Sequence, residues 1–411
     1  MKTLNILIIN SVPANGGDEA LLRATLYILE KTYNNPVITI SCNDVINTRK
    51  LIPGLTIIGD LDHVFSNPFT RWSLGHLKIA ARSLIYDRYD LSKIFEIPKI
   101  LLTREEKITT EIIKKVDLVI SSSGGYLHDF YNNEQRLKVI NLLKKLKKKV
   151  ILFGQSIGPF WKSKNTLLYL DTLNSVDLIL LREQISLQHL KKIGLNLDNT
   201  FVTTDTAFVL HKKYAHLFRY RKETKNRIVF AFRNWQKESD YIIKLAKTIA
   251  IFLIDFFDIE ITFLSTCQGL NSYKDDSHFA EKIIATIPSS FQQYCKIDKH
   301  KYSIPDLIKK YSLYDGYIGM RLHGAILAML GGTPAFNIGY EDKTKGIYDF
   351  LGLPEQHAFY KEDMVVLEKK ISFFMKNLSK INNNFLKSKI EFAADTVEKN
   401  IYYLKSSYVQ S

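Results

Sequence analysis

The chain has 411 residues, of which 46% are hydrophobic and 24% carry a charged side chain. This length exceeds what one hydrophobic core ordinarily organises, so the composition predicts a globular protein of two domains. The formal net charge of +15 favours an anionic partner, which could be a nucleic acid, an acidic lipid surface or a phosphorylated substrate.

No segment is expected to direct the chain into or across a membrane. The apolar run at residues 2–10 is followed at once by a polar, glycine-containing turn, so it lacks the long apolar core of a signal peptide. The run at residues 249–257 is interrupted by Asp255 and is too short to span a bilayer. The chain has three cysteines, Cys42, Cys267 and Cys295, and their spacing fits neither a disulfide framework nor a metal site. We therefore expect a cytosolic protein with reduced thiols.

Nucleic acid is the least supported of the anionic partners. The basic runs at residues 144–149 and 219–227 have the composition of solvated helix ends or linkers. The chain contains no zinc-finger spacing, aromatic RNA-binding signature or basic heptad repeat. We predict no nucleic-acid partner.

In the first half of the chain, short apolar runs alternate with helical patterns such as that at residues 18–31. This order is typical of an α/β domain with a parallel sheet. The predicted strands are residues 5–10, 36–41, 55–59, 117–124, 149–154, 177–182 and 200–205.

A predicted insertion at residues 62–104 departs from this order. It is rich in aromatic and basic side chains, among them Phe65, Phe69, Arg71, Trp72, Tyr86, Arg88 and Tyr89. The insertion could be a lid, a flap that binds an acceptor, a membrane-surface contact or a helical excursion that completes the core.

The alternation continues from residue 225. The predicted strands are residues 227–233, 259–266, 294–297, 315–320 and 333–340, the last of which is expected to be the final strand. The predicted helices are residues 239–257, 274–287, 303–312 and 322–330. Ser303 is the expected N-cap of the helix at residues 303–312. Gly331 and Gly332 are expected to end the helix at residues 322–330.

These patterns predict two Rossmann-like lobes, each with a parallel sheet covered on both faces. Residues 211–226 are polar and basic and have no apolar period, so the boundary is placed there. The first domain is predicted at residues 1–215, the second at residues 225–375 and a helical tail at residues 376–411. The tail could cross back to the first lobe.

Polar and glycine residues follow several predicted strands. Ligands of open parallel sheets bind beyond the carboxyl ends of the strands, so these residues are the binding candidates. In the first lobe they are Asn15, Gly16, Gly17, Asp18, Glu19, Ser123, Gly124, Gly125, His128, Asp129, Gly154, Gln155, Ser156, Arg182 and Glu183. In the second lobe they are Arg233, Asn234, Trp235, Arg321, His323, Lys343 and Lys345. Glycines allow a ligand to approach the backbone, and a helix start supplies N–H donors for an anion.

Arg321 and His323 stand at such a predicted helix start. Arginine suits a carboxylate or phosphate because it can donate two parallel hydrogen bonds, and histidine can transfer a proton near neutral pH. The pair predicts a site for a small, multiply charged anion that undergoes proton chemistry. The structural alternatives are an ion pair of Arg182 with Glu183, a turn role for His323, and turn roles for Gly124 and Gly125.

Six motifs follow one another along the chain: NGGDEALL, SSSGGYLHD, GQSIGPF, LREQIS, DTAF and MRLHGAILAMLGGTPAFNIGYEDKTKG. Over residues 6–352 they resemble the polysaccharide pyruvyl transferase family. The resemblance implies a two-lobed fold like that of the GT-B glycosyltransferases, with an interlobe cleft, the acceptor side in the first lobe and the donor side in the second. It also implies phosphoenolpyruvate as the donor substrate and a pair of sugar hydroxyls as the acceptor.

By this resemblance Arg321 and His323 match the donor-binding Arg-x-His of the family, and Arg182 matches a further arginine near the donor. The carboxylate and phosphate of phosphoenolpyruvate need several cations, which Arg321, Arg182 and Lys343 are expected to supply. His323 is expected to be the general acid at C3 or at the departing phosphate, and Asp129 or Asp18 the base for the acceptor hydroxyl. The other predicted substrate-binding residues are Asn15, Gly16, Gly17, Gly124, Gly125, Gln155 and Arg233.

This scheme requires neither a metal ion nor a cofactor, because arginines neutralise the charge that a magnesium ion would otherwise carry. The acceptor is expected to be a sugar of a lipid-linked polysaccharide repeat. It would bring a cytoplasmic protein into peripheral contact with the inner membrane face, where a basic surface suits anionic lipids.

Two other functions stay open at this point. A GT-B glycosyltransferase that uses a nucleotide sugar could have the same fold, and Glu341 is followed, after seven residues, by Asp349 where some retaining enzymes have a second Glu. A non-catalytic glycan-binding member would be expected to lack a key charged group, yet Arg182, Arg321 and His323 are all present.

Overall fold

The computed structural model describes residues 3–13, 15–66, 94–161, 163–220, 225–268, 275–378 and 383–409. The chain forms two compact units: unit 1 comprises Met1–Pro13, Thr25–Thr203 and Asn400–Ser411, and unit 2 comprises Ala14–Ala24 and Thr204–Lys399. The boundary predicted at residues 211–226 falls inside unit 2. Residues 67–93 of the predicted insertion lie outside the described residues, so the roles suggested for Phe69, Arg71, Trp72, Tyr86, Arg88 and Tyr89 stay predictions, as does that for the Phe65 side chain.

The described residues of unit 1 form one parallel sheet of eight strands. They are β1 Asn5–Ser11, β2 Val37–Cys42, β3 Thr56–Gly59, β4 Leu118–Ser121, β5 Gly124–Leu127, β6 Lys149–Ile157, β7 Leu178–Leu181 and β8 Thr200–Val202. Their order in the sheet is β3-β2-β1-β4-β6-β7-β8, and β5 pairs with β6. Each predicted strand is confirmed, but β5 was not predicted as a separate strand, because its sequence GGYL has the composition of a turn.

The unit 1 strands are apolar at consecutive positions. Leu7 and Ile8 of β1 are both fully buried, and so are Ile151 and Leu152 of β6. A parallel sheet covered by helices buries both faces of each strand, which explains the uninterrupted apolar runs that predicted these strands. The helices are Gly16–Thr32, of which residues 16–24 belong to unit 2, and Val45–Leu51, Leu61–Ser66, Arg104–Lys115, Glu134–Lys145, Ser163–Ser175 and Gln184–Lys192, with a 3-10 turn at Lys99–Leu101.

Where the structure describes unit 2, it contains a second parallel sheet, of six strands. They are β9 Arg227–Ala231, β10 Glu260–Phe263, β11 Cys295–Ile297, β12 Gly316–Gly319, β13 Ala335–Gly339 and β14 His357–Phe359, in the order β11-β10-β9-β12-β13-β14. The prediction that residues 333–340 form the final strand is wrong, because β14 follows and pairs with β13. The three residues of β14 are too few to give a strand pattern, and only their main-chain pairing identifies them.

The helices of unit 2 begin and end close to the predicted positions. Ser303 caps its helix by accepting a hydrogen bond from the N–H of Asp306, and Gly331 is the C-cap of the helix before it, as predicted. The helices are Leu210–Tyr214, Ser239–Phe257, Asp276–Thr286, Ser289–Gln292, Ile304–Tyr311, Leu322–Leu330, Asp342–Leu351, Met364–Asn377 and Asn383–Val409, with 3-10 turns at Thr206–Val209, Ala215–Leu217 and Pro354–Gln356. Residues 400–409 of the last helix belong to unit 1.

The most apolar long helix is a core helix of unit 2. Ser239–Phe257 buries Leu245, Ile249 and Leu253 against the sheet, while Lys244 and Asp255 interrupt its other faces. Among the described residues, no helix combines the length and the apolar character that crossing a bilayer requires.

His357 gives unit 2 an acid-sensitive contact. Its buried imidazole places Nε2 at 3.0 Å from Oγ1 of Thr344, and burial lowers the pKa of His357 from 6.5 to about 4. The folded state therefore favours the neutral ring. The stability that this ring contributes is fully present above pH 6.5 and is lost as the pH falls to about 4, by up to ~3 kcal/mol. In urea denaturation we expect wild type to lose more stability over this interval than His357→Gln. Parallel pH curves for the two proteins would contradict this.

Candidate active site

Unit 2 places Arg321 and His323 beyond the carboxyl end of β12, beside the point where the strand order reverses. The chain proceeds from β9 outward to β11 on one side and from β12 outward to β14 on the other, and ligands of open parallel sheets bind at such reversals. Arg321 is the N-cap of the helix Leu322–Leu330, whose start receives no side-chain cap. The first N–H groups of this helix are therefore candidates for binding an anion.

A buried ion pair holds Arg321. Its Nε and Nη2 donate to the two carboxylate oxygens of Asp276 over 2.8 and 2.7 Å, and the side chains are only 8% and 6% exposed. Ser265 Oγ also donates to this carboxylate. The two parallel bonds predicted between Arg321 and a substrate are thus made to Asp276, and a ligand could receive hydrogen bonds only from the other N–H groups of the guanidinium.

His323 contacts a glycine and an aspartate. A Cβ on Gly17 would lie 2.7 Å from Nδ1 of His323 and 3.1 Å from its Cγ, so the ring packs directly on the Gly17 backbone. The other ring nitrogen, Nε2, is buried and lies 3.4 Å from Oδ2 of Asp205. This distance is that of an ion pair, but the atoms are not aligned as in a hydrogen bond. The Asp205 carboxylate is fully buried.

Residues 15–18, predicted as a turn of the first lobe, belong to unit 2, and residues 16–18 begin the helix Gly16–Thr32. The N–H of Gly16 donates to the carbonyl oxygen of Thr266 over 3.1 Å, and a Cβ on Gly16 would lie 2.7 Å from that oxygen. Gly16 and Gly17 therefore allow close packing on Thr266 and His323. The approach of a ligand to these glycines stays a prediction.

Asn15 forms hydrogen bonds with three residues around this helix start. Its Oδ1 accepts hydrogen bonds from the N–H of Gly17 and from the Cys267 thiol, over 3.1 and 3.2 Å, and its Nδ2 donates to Asp18 over 2.9 Å. Burial raises the pKa of Cys267 to about 12, so this thiol stays protonated. A protonated thiol is a poor nucleophile, which favours a structural role for Cys267.

Substitution of Gly17 by Ala is expected to displace the His323 ring. The added Cβ cannot occupy a position 2.7 Å from Nδ1, so either the ring or the helix start must shift. We expect a loss of ~1–3 kcal/mol in stability, as for other overpacked sites. If His323 acts in the reaction, we also expect a ~10²-fold loss of activity, because catalytic groups tolerate displacements of only about 1 Å.

Gly59→Ala provides the matched control for this change. The Cβ added at Gly59 would meet Val64 at 3.4 Å, which is an ordinary contact. Melting temperature and turnover are measured for both variants. Unchanged turnover in a Gly17→Ala protein that has lost stability would contradict a catalytic role for the His323 ring in its present position.

Two further predicted substrate-binding cations have partners within unit 2. Arg233 lies just beyond the carboxyl end of β9, where its Nη1 donates to the hydroxyl of Tyr340 over 2.8 Å. Its guanidinium lies 5.0 Å from the ring centroid of Trp235 and 5.1 Å from that of Tyr340. Lys343 forms an ion pair with Glu341. Arg233 remains partly exposed and could therefore contact a ligand from its aromatic setting.

Arg182 belongs to unit 1, directly after β7, and its side chain is 1% exposed. Its Nε donates to Ser156 Oγ over 2.7 Å and lies 3.5 Å from Oε2 of Glu183. Ser156 Oγ in turn donates to the same carboxylate oxygen over 2.9 Å. The structure thus contains the ion pair considered as the alternative role of Arg182, and its contact with a donor substrate stays a prediction.

The remaining unit 1 candidates follow β4 and β5 or lie within β6, because this strand continues through Gly154, Gln155 and Ser156, which were predicted to follow it. Asp129 is buried, and its Oδ2 accepts a hydrogen bond from the N–H of Trp161 over 2.7 Å. Gln155 is fully buried and donates to the Tyr126 hydroxyl over 3.0 Å, while its Oε1 has no hydrogen-bond partner within the described ranges. Gly124 and Gly125 are the first residues of β5, not turn residues. Their predicted substrate contacts, and a role of Asp129 as base, stay predictions.

Asp62 is an acidic residue of unit 1 that sequence patterns did not single out. Burial, reinforced by the charge of Asp60 and opposed by that of Arg136, raises the pKa of Asp62 to about 7. Arg136 Nε lies 3.5 Å from its Oδ2, and both side chains are partly exposed. A carboxyl group with this pKa exchanges its proton near neutral pH, and its contact with Arg136 gives it a structural partner.

Comparison with known families decides the assignment. The profile described as polysaccharide pyruvyl transferase matches residues 15–342. The chain belongs to the polysaccharide pyruvyl transferase family. This family member is 28% identical to the amylovoran biosynthesis protein AmsJ of Erwinia amylovora over 263 residues. That match covers 60% of this chain and 62% of AmsJ, which is less than two thirds of the length of the relative.

Solved structures share the fold of this pyruvyl transferase family member. A putative UDP-N-acetylglucosamine 2-epimerase from Listeria monocytogenes has a TM-score of 0.59 at 11% identity, covering 100% of this chain and 98% of that chain. The trehalose-6-phosphate synthase OtsA has a TM-score of 0.54 at 12% identity, covering 99% and 98%. At these identities the likeness concerns the fold alone. It confirms the predicted GT-B-like fold class of two parallel-sheet α/β domains.

The partners of Arg321 and His323 were missed by sequence reasoning. Asp205 lies in the DTAF motif, which contributed to the family resemblance but was given no role of its own. Asp276 lies in the first turn of the helix Asp276–Thr286, where acidic residues commonly complement the helix dipole. For Asp205 the motif was a usable signal, whereas for Asp276 the sequence provides none.

Proposed function

We propose that this protein transfers the pyruvyl unit of phosphoenolpyruvate to two hydroxyls of one sugar, releases phosphate and leaves a pyruvate ketal. Membership of the polysaccharide pyruvyl transferase family supports pyruvyl as the group that is transferred. The observation that carries the proposal is the placement of His323. This proton-transfer group follows a buried arginine at an uncapped helix start, at the strand reversal where ligands of such sheets bind.

The charges around His323 suit a compact anion. Phosphoenolpyruvate carries a carboxylate and a phosphate, and the positive end of the helix Leu322–Leu330 favours negative charge. Arg321 retains N–H groups beyond the two that bond to Asp276, and Arg233 offers a second, partly exposed guanidinium. Lys343 stays a proposed donor-binding residue, which would have to exchange its pairing with Glu341 for the substrate.

The proposed reaction begins when His323 gives a proton to C3, the methylene carbon of phosphoenolpyruvate. C2 becomes electrophilic, and the oxygen of the first sugar hydroxyl bonds to it while that hydroxyl loses its proton to a base. The bond between C2 and the phosphate oxygen then breaks. The second hydroxyl bonds to C2 and loses its proton, which closes the ketal. The two protons lost by the sugar balance those gained by C3 and by the departing phosphate.

The proposed acceptor is a sugar of a lipid-linked polysaccharide repeat. The similarity to AmsJ, a protein named for amylovoran biosynthesis, supports an exopolysaccharide as the final product. A net charge of +15 would favour peripheral contact of a cytoplasmic protein with the anionic inner membrane face. Asp18 and Asp129 stay the proposed bases, and each would have to release the hydrogen bond that it accepts from Asn15 or from the N–H of Trp161.

Mass spectrometry tests this function directly. The protein is incubated with phosphoenolpyruvate and a panel of lipid-linked or aryl glycosides, and the expected product is a glycoside heavier by one pyruvyl ketal. Phosphate should be released in equal amount, and omission of the glycoside should abolish its release.

Thermal stability distinguishes the nucleotide-sugar alternative. Phosphoenolpyruvate should raise the melting temperature, whereas a nucleoside diphosphate should leave it unchanged. Stabilisation by the nucleoside diphosphate alone would contradict the proposal and support a GT-B glycosyltransferase.

A further inference from the structure

Asp205 is a buried carboxylate that caps a 3-10 turn through one of its oxygens. It precedes the 3-10 turn Thr206–Val209, and its Oδ1 accepts a hydrogen bond from the N–H of Ala207 over 3.0 Å. A buried carboxylate is costly unless donors or opposite charges compensate it. Its other oxygen, Oδ2, faces Nε2 of His323 at 3.4 Å, so the imidazole can provide such compensation.

The position of the His323 ring makes its two nitrogens unequal. Nε2 is buried and has no hydrogen-bond partner in the part of the chain that the structure describes. A buried N–H group gains most when it reaches a charged acceptor. The separation of 3.4 Å is long for a hydrogen bond, but catalytic hydrogen bonds are often long in ligand-free proteins and shorten when substrate binds. Nδ1 lies beside the Gly17 backbone, and the His323 side chain keeps 16% exposure although Nε2 is buried.

We propose that Asp205 is a positioning residue for His323, and that it accepts the Nε2 proton so that Nδ1 is the nitrogen that exchanges a proton with the substrate. This inference rests on the proposed function, because it names which atom of His323 delivers the proton to C3.

The division of roles follows from the protonation states of the ring. When both nitrogens are protonated, the Asp205 carboxylate stabilises the positive charge and fixes the ring orientation. After Nδ1 has given its proton away, the neutral ring keeps its remaining proton on Nε2, directed at Asp205. A carboxylate that orients a histidine in this way selects one of its two neutral tautomers.

Asp205→Asn is the decisive variant. Asn caps a helical turn as well as Asp does, so the turn at residues 206–209 should persist while the negative charge is removed. We expect kcat to fall by ~10- to 10²-fold, as for other residues that orient an active group through a hydrogen bond, with little change in the KM for phosphoenolpyruvate. The matched control is Asp44→Asn, which changes another capping aspartate, bonded to the N–H of Asn47, and should leave kcat unchanged.

A double-mutant cycle with His323→Gln separates positioning from general structural support. If Asp205 acts through His323, Asp205→Asn should lower kcat in the parental protein and cause no further loss in the His323→Gln protein. Restoration of part of the activity by Asp205→Glu would agree with a requirement for a carboxylate. Equal fractional losses in both backgrounds would overturn the inference, because Asp205 would then act independently of the imidazole.

Nitrogen-15 NMR of the imidazole tests the inference without any substrate. The His323 signals are assigned by their absence from the His323→Gln protein, at a pH where the ring is neutral. Wild type should carry its proton on Nε2, and Asp205→Asn should lose this preference. The same tautomer in both proteins would overturn the inference even if wild type released phosphate. A clear tautomer change in a protein that never consumes phosphoenolpyruvate would contradict only the proposed function.

Discussion

Replacement of His323 by Gln is expected to lower pyruvyl transfer by ~10²- to 10⁴-fold, the range that general acid catalysis contributes. Gln is polar and of similar size, so it suits a position whose side chain is 16% exposed, but it cannot deliver a proton. The loss should therefore affect kcat and kcat/KM alike. The KM for phosphoenolpyruvate should change little, because Arg321 and the helix start remain. Single-turnover phosphate release in the presence of the acceptor measures the chemical step.

His278→Gln is the matched control for this prediction. It makes the same change at a histidine whose side chain is 75% exposed and pairs with Glu281 at the surface. This variant should keep the parental rate and melting temperature. A correctly folded His323→Gln protein that releases phosphate at the parental rate would show that another group protonates C3.

The fold could be predicted where burial leaves a pattern in the sequence. Strands buried on both faces, such as β6, appear as continuous apolar runs, and the helix Ser239–Phe257 begins and ends at the predicted residues. Apolar patterns did not predict β5 and β14, because these strands contain glycine or histidine and too few residues to show a period. Those two strands are defined by main-chain pairing to neighbours, which side-chain patterns do not encode.

The candidate site could be predicted in its members but not in its pairings. The rule that ligands bind beyond strand ends identified Arg321 and His323, because it needs only the sequence next to each strand. The carboxylates that hold them come from elsewhere in the chain: Asp276 is 45 positions from Arg321, and Asp205 precedes the whole second sheet. Long-range neighbours depend on tertiary packing, so the sequence could name a cation without showing that a carboxylate already binds it.

Asp276→Asn is expected to destabilise the protein by ~3–5 kcal/mol, the cost of removing one partner from a buried ion pair. Arg321 donates two hydrogen bonds to the carboxylate, and both side chains are more than nine-tenths buried. An amide carries no charge, and its Nδ2 would face one of the guanidinium donors. The guanidinium would then remain in a poorly solvated site without its counter-charge. Urea denaturation measures the change in the free energy of unfolding.

Asp349→Asn is the matched control, because Asp349 pairs with Lys345 at the surface, where the side chains are 42% and 50% exposed. Such a pair contributes only ~0–1 kcal/mol, so the difference between the two variants isolates the effect of burial. Asp276→Asn also removes the carboxylate that competes with the donor for Arg321, and the KM for phosphoenolpyruvate reports the effect. If Asp276→Asn proves no more destabilising than Asp349→Asn and the KM falls, the pair opens at little cost, and Arg321 has the substrate-binding role that the sequence predicted. A large loss of stability with a raised KM would instead mean that Asp276 holds Arg321 in the position from which it contacts the donor.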